Sequence, residues 1–138
     1  MSVPARVAYS FAVLRVVPHV FLGTFVNVGV ILHAPTLQHL DVRLLTDPGV
    51  LRRCAPDVDL ELLLRYLHAC EALVRGEAAA GPVALLPPSE RFHWLTAPRS
   101  DVLQCSPIHA GITDDPAATL AALFESHVLA PVRTPAQP

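Results

Sequence analysis

The sequence predicts an α+β domain: a mostly antiparallel sheet of about four strands, three in an N-terminal meander and one later, with helices packed on it. Three observations carry this. β-branched and aromatic residues crowd into residues 9–32, YSFAVLRVVPHVFLGTFVNVGVIL, around a single turn. Leucines recur at helical spacing in two later segments. Two Asp-Pro pairs, Asp47-Pro48 and Asp115-Pro116, have the order of a helix start, with a capping carboxylate and then a proline in the first turn.

In residues 9–32, two strand-like runs flank Pro18-His19 and Leu22-Gly23-Thr24, the composition of an antiparallel hairpin whose loop is longer than two residues. The first arm is apolar on both faces, with Tyr9, Phe11 and Val13 on one and Ala12, Leu14 and Val16 on the other. A central strand covered on both sides needs this. In the second arm, Val26, Val28, Val30 and Leu32 form one apolar row; the other, Phe25, Asn27, Gly29, Ile31 and His33, carries an amide and a missing side chain at its middle.

After a turn at Ala34-Pro35-Thr36, residues 37–45 alternate, with Leu40, Val42 and Leu44 inward and His39, Asp41 and Arg43 outward, as in a half-exposed third strand. A short helix follows from Pro48 to Arg53 or Cys54. Asp57 or Asp59 caps the main helix, whose apolar stripe is Leu60, Leu63, Leu64, Leu67, Cys70 and Val74, with Glu61/Arg65 and Glu71/Arg75 on its wet side and Gly76 at its end. Residues 76–88 read as a surface connection. Ser89 is placed to cap a short helix over residues 90–96, and residues 101–105 read as a fourth strand closed by Pro107. The sequence leaves that strand's partner open. Leu120, Leu123, Phe124 and Val128 line a final helix ended by Pro131. Residues 1–130 are therefore one domain and 131–138 a frayed tail.

With 138 residues, one core is expected, removing roughly two-thirds of the unfolded surface from water. Hydrophobic residues make up 52% and charged residues 16%, so the surface is short of charge and some apolar surface is expected to meet a partner. The net charge is -2 and the arginines are scattered singly apart from Arg52-Arg53, which disfavours nucleic acid. Pro18, His19, Asn27 and His33 interrupt the uncharged stretch 16–40, whose alternation suits a strand and not a membrane span. Arg6, a short apolar run and Arg15, with no small-residue cleavage site, do not make a signal peptide. Cys54, Cys70 and Cys105 are far apart, odd in number and in no Cys-x-x-Cys pair, as expected of buried free thiols in the cytoplasm.

The chain carries no Gly-x-Gly-x-x-Gly or phosphate loop, no His-Glu-x-x-His and no Gly-x-Ser-x-Gly, so no cofactor is expected. His68-Ala69-Cys70 at i,i+2 diverges by about 200° on a helix, so no metal site is expected either. Asn27 sits mid-strand among valines, where its amide must be bonded, to a neighbouring loop or to a ligand; Gly29 leaves room for a backbone or a ligand. His93, Trp94, Arg99, Ser100, Gln104, Ser106 and His109 fall together on loop-rich backbone. Arg99-Ser100 could hold an anion or staple a loop, and His109 could be a general base but has no carboxylate at a recognisable spacing. A turn at Arg99-Ser100 crossing a notch made by Asn27 and Gly29 would account for both without a ligand.

Residues 9–32 together with FHWLTAPRSDVLQCSPIHAGITDDPAATLAALFESHV closely resemble the bacterial family of domain of unknown function 3037, from about Tyr9 to Val128. The most specific pieces are Phe25–Val30, Ala97–Ser100, Ser106–His109 and Asp114–Pro116. Members commonly read Arg-Gly-Glu where this chain has Leu22-Gly23-Thr24, so two charges of the family's hairpin loop are absent. The resemblance supplies no reaction. It implies company, because genes of the family often lie beside those of HipA-like kinases. The expectation is a non-enzymatic accessory protein that meets such a kinase or itself; the alternative is a small enzyme or an anion- or nucleotide-binding protein using Arg99, Ser100 and His109.

Overall fold

Every other strand hangs on β1 (Val7–Val16), or on a strand that pairs with it. The computed structural model describes residues 5–18, 22–97 and 102–133. On one side β1 pairs antiparallel with β2 (Val26–Ala34), which pairs in turn with β3 (His39–Leu44). On its other side β1 is shared by β4 (Leu103–Cys105), opposite its C-terminal end, and β5 (His109–Thr113), opposite its N-terminal half. The sheet thus has five strands, one more than the sequence suggests, and the strand before Pro107 pairs with β1.

The break between β4 and β5 has a local cause. Pro107 has no amide to donate, and the ladder bridges the break through Ser106. The Ser106 amide donates to the Val13 carbonyl at 2.8 Å, and the Val13 amide donates to Ser106 Oγ, also at 2.8 Å. The hydroxyl in turn donates to the Pro107 carbonyl. A buried serine is tolerated because its amide and its hydroxyl are both used.

The helices follow their caps. Asp47 accepts from the amides of Gly49 and Val50 to open α1 (Pro48–Cys54); Asp59, of the two candidates, accepts from Leu62 to open α2 (Leu60–Val74). Leu63, Leu67, Cys70 and Val74 form the buried stripe of α2, and Gly76 ends it at φ 71°. The connection to α3 (Pro88–Thr96) contains two single turns of 3₁₀ helix. Ser89 is no cap: α3 starts at Pro88 behind Pro87, because proline at the first position needs no partner for an amide.

Asp115 accepts from the Ala118 amide to open α4 (Pro116–Phe124). Pro131 does not end this helix. The helix widens into one π turn over Glu125–Leu129 and continues as α5 (Ala130–Arg133), so the boundary expected before residue 131 falls inside the helix. The wider turn lets the helix run past a residue that cannot donate.

Alternation sorts the side chains of β1 into two faces. Phe11 meets the π turn, its ring centroid 5.7 Å from that of His127, while His33, paired with Ser10 of the other row, packs on Phe92 of α3 at 5.2 Å. The sheet therefore lies between α4 with its π turn on one side and α2 with α3 on the other. Ile31, Leu32, Leu67, Leu120 and Val128 are fully buried in these two interfaces. Cys70 is buried, and Cys54 and Cys105 are half-buried. Among the described residues no helix is long and apolar enough to cross a membrane.

Candidate functional site

Among the described residues singled out in the sequence, Asn27, Gly29, His93, Trp94 and His109 do not converge. Asn27 and Gly29 part company at a β-bulge. Leu14 pairs with Gly29 and Arg15 with Asn27, leaving Val28 as the extra residue, its carbonyl taken by the Leu45 amide at 2.7 Å. Since Leu14 and Arg15 point to opposite faces, Asn27 and Gly29 do too, and no notch joins them. The space beside Gly29 is already filled: a Cβ there would lie 2.7 Å from Leu44 Cδ2, 3.0 Å from the Arg43 carbonyl oxygen and 3.1 Å from Leu14 Cδ1. This glycine lets β3 and β1 close in on β2; it holds nothing else.

Asn27 instead faces the C-terminal helix, and its Nδ2 donates to the His127 carbonyl at 3.0 Å. His127 is four residues before Pro131, so its carbonyl is the one that loses an α-helical donor to the proline. An asparagine in a strand thus supplies a hydrogen bond that a proline in a helix withholds. Asn27 Oδ1 is buried without a protein partner among the described residues, as is Nε of its cross-strand neighbour Arg15, whose guanidinium carbon lies 4.0 Å from the centroid of the Phe25 ring. The Arg99-Ser100 turn, expected to cross Asn27, lies outside the described residues.

His109 shares the Asn27 side of the sheet, paired with Phe11, its ring centroid 5.2 Å from that of the phenylalanine. His93 and Trp94 are on α3, on the opposite side. The sheet separates His109 from His93 and Trp94. His93 is turned onto its own helix, with Nδ1 2.8 Å from the Ser89 carbonyl; since a carbonyl only accepts, Nδ1 carries the proton. Ser106 is spent on the ladder of β1.

Trp94 is placed differently. It borders a groove of about 170 Å³ between α2, α3 and β4. Leu14, Leu73, Leu95 and Leu103 give apolar walls, and Cys70, Cys105 and Gln104 supply the few polar atoms. Trp94, 44% exposed, and Tyr66, 37% exposed, stand at it from the two helices. Arg91 fixes the spacing of those helices: its Nη1 donates to the carbonyls of Leu73 and Val74 at 3.1 and 2.7 Å, tying α3 to the negative C-terminal end of α2. Sequence reasoning singled out Trp94 but missed Tyr66, Ala69 and Leu73, which stand on the outer side of an otherwise ordinary amphipathic helix. The one available signal was Tyr66 beside Ala69, a large and a small residue adjoining the buried stripe.

A third feature lies behind α3. His33 is buried, and its pKa is held below the ordinary 6.5 by burial first, then by the neighbouring His93 and His39. It is a core histidine kept neutral. Among the described residues, no group of three or more His, Cys, Asp or Glu could hold a metal ion.

These features define an α+β domain with a five-stranded antiparallel sheet between two helical layers and an apolar groove rimmed by Trp94 and Tyr66. The model of the family described as "Protein of unknown function (DUF3037)" matches residues 11–128, most of the chain, and the chain belongs to that family. No curated protein and no solved structure matches it.

Proposed function

We propose that this chain is a non-enzymatic cytoplasmic interaction protein, and that the groove between α2, α3 and β4 receives an apolar or aromatic side chain of a protein partner. The observation that carries this reading is the exposure of Trp94 and Tyr66 beside an open apolar groove. Aromatic residues around a desolvated pocket are the residue types that dominate binding energy at interfaces. Burying one large apolar side chain there is worth about 1.5–3 kcal/mol, enough to anchor a contact that its surroundings complete. A HipA-like kinase is the proposed partner, on the gene association that the family resemblance brings. The alternative, a small enzyme or an anion- or nucleotide-binding protein using Arg99, Ser100 and His109, has only His109 among the described residues, its ring packed on Phe11.

The test is capture of the purified neighbouring kinase by the immobilised chain, alongside Ala69→Arg, which plugs the groove from an exposed position. Retention by the unaltered chain and loss with Ala69→Arg is the expected result. No capture, or equal capture by both, removes the groove from the account. Trp94 is the chain's one tryptophan, so its fluorescence reports occupancy without a label.

A further inference from the structure

The two edges of the sheet are finished differently. On β3 the edge is charged: Arg43 is exposed, and Asp41 turns its carboxylate back to accept from the Val42 amide at 2.8 Å, which occupies a donor. Charges on an edge strand are how sheets refuse a further strand. On β5 there is no charge at all. Its sequence is His-Ala-Gly-Ile-Thr, it pairs with β1 alone among the described strands, and Ile112 is 70% exposed, with Ile108 just before it 48% exposed. Ala8, the residue of β1 paired with Ile112, is exposed as well, so this corner of the sheet has no helix over it.

We infer that β5 is a self-association edge, and that two copies of this chain pair β5 with β5 antiparallel about a two-fold axis through Gly111. The strand is complementary to itself in that register. Gly111 faces Gly111 of the second copy, Ala110 faces its Ile112, and His109 faces its Thr113, so no like charges meet. Ile112 then has Ile112 and Ile108 of the second copy as its diagonal neighbours on the same face. The four isoleucines that are exposed in the separate chains close over the axis as one apolar cluster. The glycine at the centre is fixed by the fold of the single chain, because a Cβ at Gly111 would lie 2.5 Å from the hydroxyl oxygen of Tyr9, whose ring covers that face. The pairing joins two five-stranded sheets into one and rests on the edge alone, so it stands or falls independently of the groove.

Sedimentation velocity over a concentration series tests it, on the unaltered chain, Ile112→Lys and Ala110→Pro. A concentration-dependent dimer is expected, weakened at least tenfold by Ile112→Lys, which restores the kind of charge that guards β3. Circular dichroism and melting temperature should not move for Ile112→Lys, since the side chain is exposed. A chain that stays monomeric to about 1 mM overturns the inference. A dimer unmoved by both variants, or one abolished by Ala69→Arg and not by Ile112→Lys, also overturns it by placing the contact elsewhere. A monomer that loses kinase capture on Ile112→Lys assigns the edge to a strand of another protein and overturns the second copy as its occupant.

Discussion

The two faces of the sheet solve the same burial problem in different ways. Under the C-terminal helix, Phe11, Val30, Leu32, Leu120 and Val128 are buried and Asn27 bonds the carbonyl left over by Pro131, while a shallow hollow of about 420 Å³ opens at the end of the sheet between Phe25, Val26, Cys54 and Val132. Under α2 and α3 the interface is sealed around His33, Ile31 and Phe92 and along Leu63 and Leu67; toward β4 the helices part and leave an apolar groove. A polar residue in a core therefore marks different things on the two sides. Asn27 is there to complete a helix, while the apolar, aromatic rim of Trp94 and Tyr66 is where the surface departs from what folding alone requires.

The largest expected effect is on the main helix. Leu67 is fully buried on the inner stripe of α2, so Leu67→Ala should cost about 2–5 kcal/mol in urea denaturation and loosen the groove with the fold. Arg91→Ala comes next. It strips two carbonyls at the end of α2 of a charged donor and should cost roughly 1.5–3 kcal/mol, with the spacing of α2 and α3 relaxing in hydrogen exchange. On the other face, Asn27→Ala should cost about 1–2 kcal/mol, and less in a Pro131→Ala background, where the helix can supply its own amide to His127; equal costs in both backgrounds would break the link between the asparagine and the proline. Asn27→Asp should be worse than Asn27→Ala, because it sets an anion against that carbonyl.

The caps and helices of this fold were legible because their causes are local. Asp47-Pro48, Asp59 and Asp115-Pro116 each bond an amide two or three residues on, and the stripe of α2 follows from spacing alone. What escaped depends on residues far apart in the chain. The strand β5 forms because the N-terminal half of β1 needs a partner about a hundred residues away, and Ala-Gly within His109–Thr113 is a poor advertisement for it. The bulge at Val28 inverts the faces assigned by strict alternation, which is why Asn27 and Gly29 read as neighbours. Pro131 read as a helix end because nothing local predicts that a strand asparagine will serve the freed carbonyl. Of the candidate site, Trp94 was legible and the groove was not, since its walls come from α2, α3 and β4 together.

Histidine 33 offers a smaller test on the α3 side. Its folded pKa lies below 6.5, so the group has no effect on stability while both states are neutral, above that value. Below it the unfolded chain takes the proton first and stability falls, levelling off once pH is under the folded pKa. Urea midpoints at about pH 7.5 and about pH 5.5 should therefore differ, and His33→Gln should shrink the difference. The smallest stability effect belongs to the groove rim, where Ala69→Arg should stay within about 0.5 kcal/mol of the unaltered chain.

The central claim is that the Asn27 side holds the fold together and the Trp94 side meets the partner. Measuring both urea stability and kinase capture for Asn27→Ala and Ala69→Arg, at a temperature where each variant is folded, separates the two roles. The account predicts that Asn27→Ala loses stability and keeps capture, while Ala69→Arg keeps stability and loses capture. The reverse pattern, an Asn27→Ala chain as stable as the original but blind to the kinase, would contradict it.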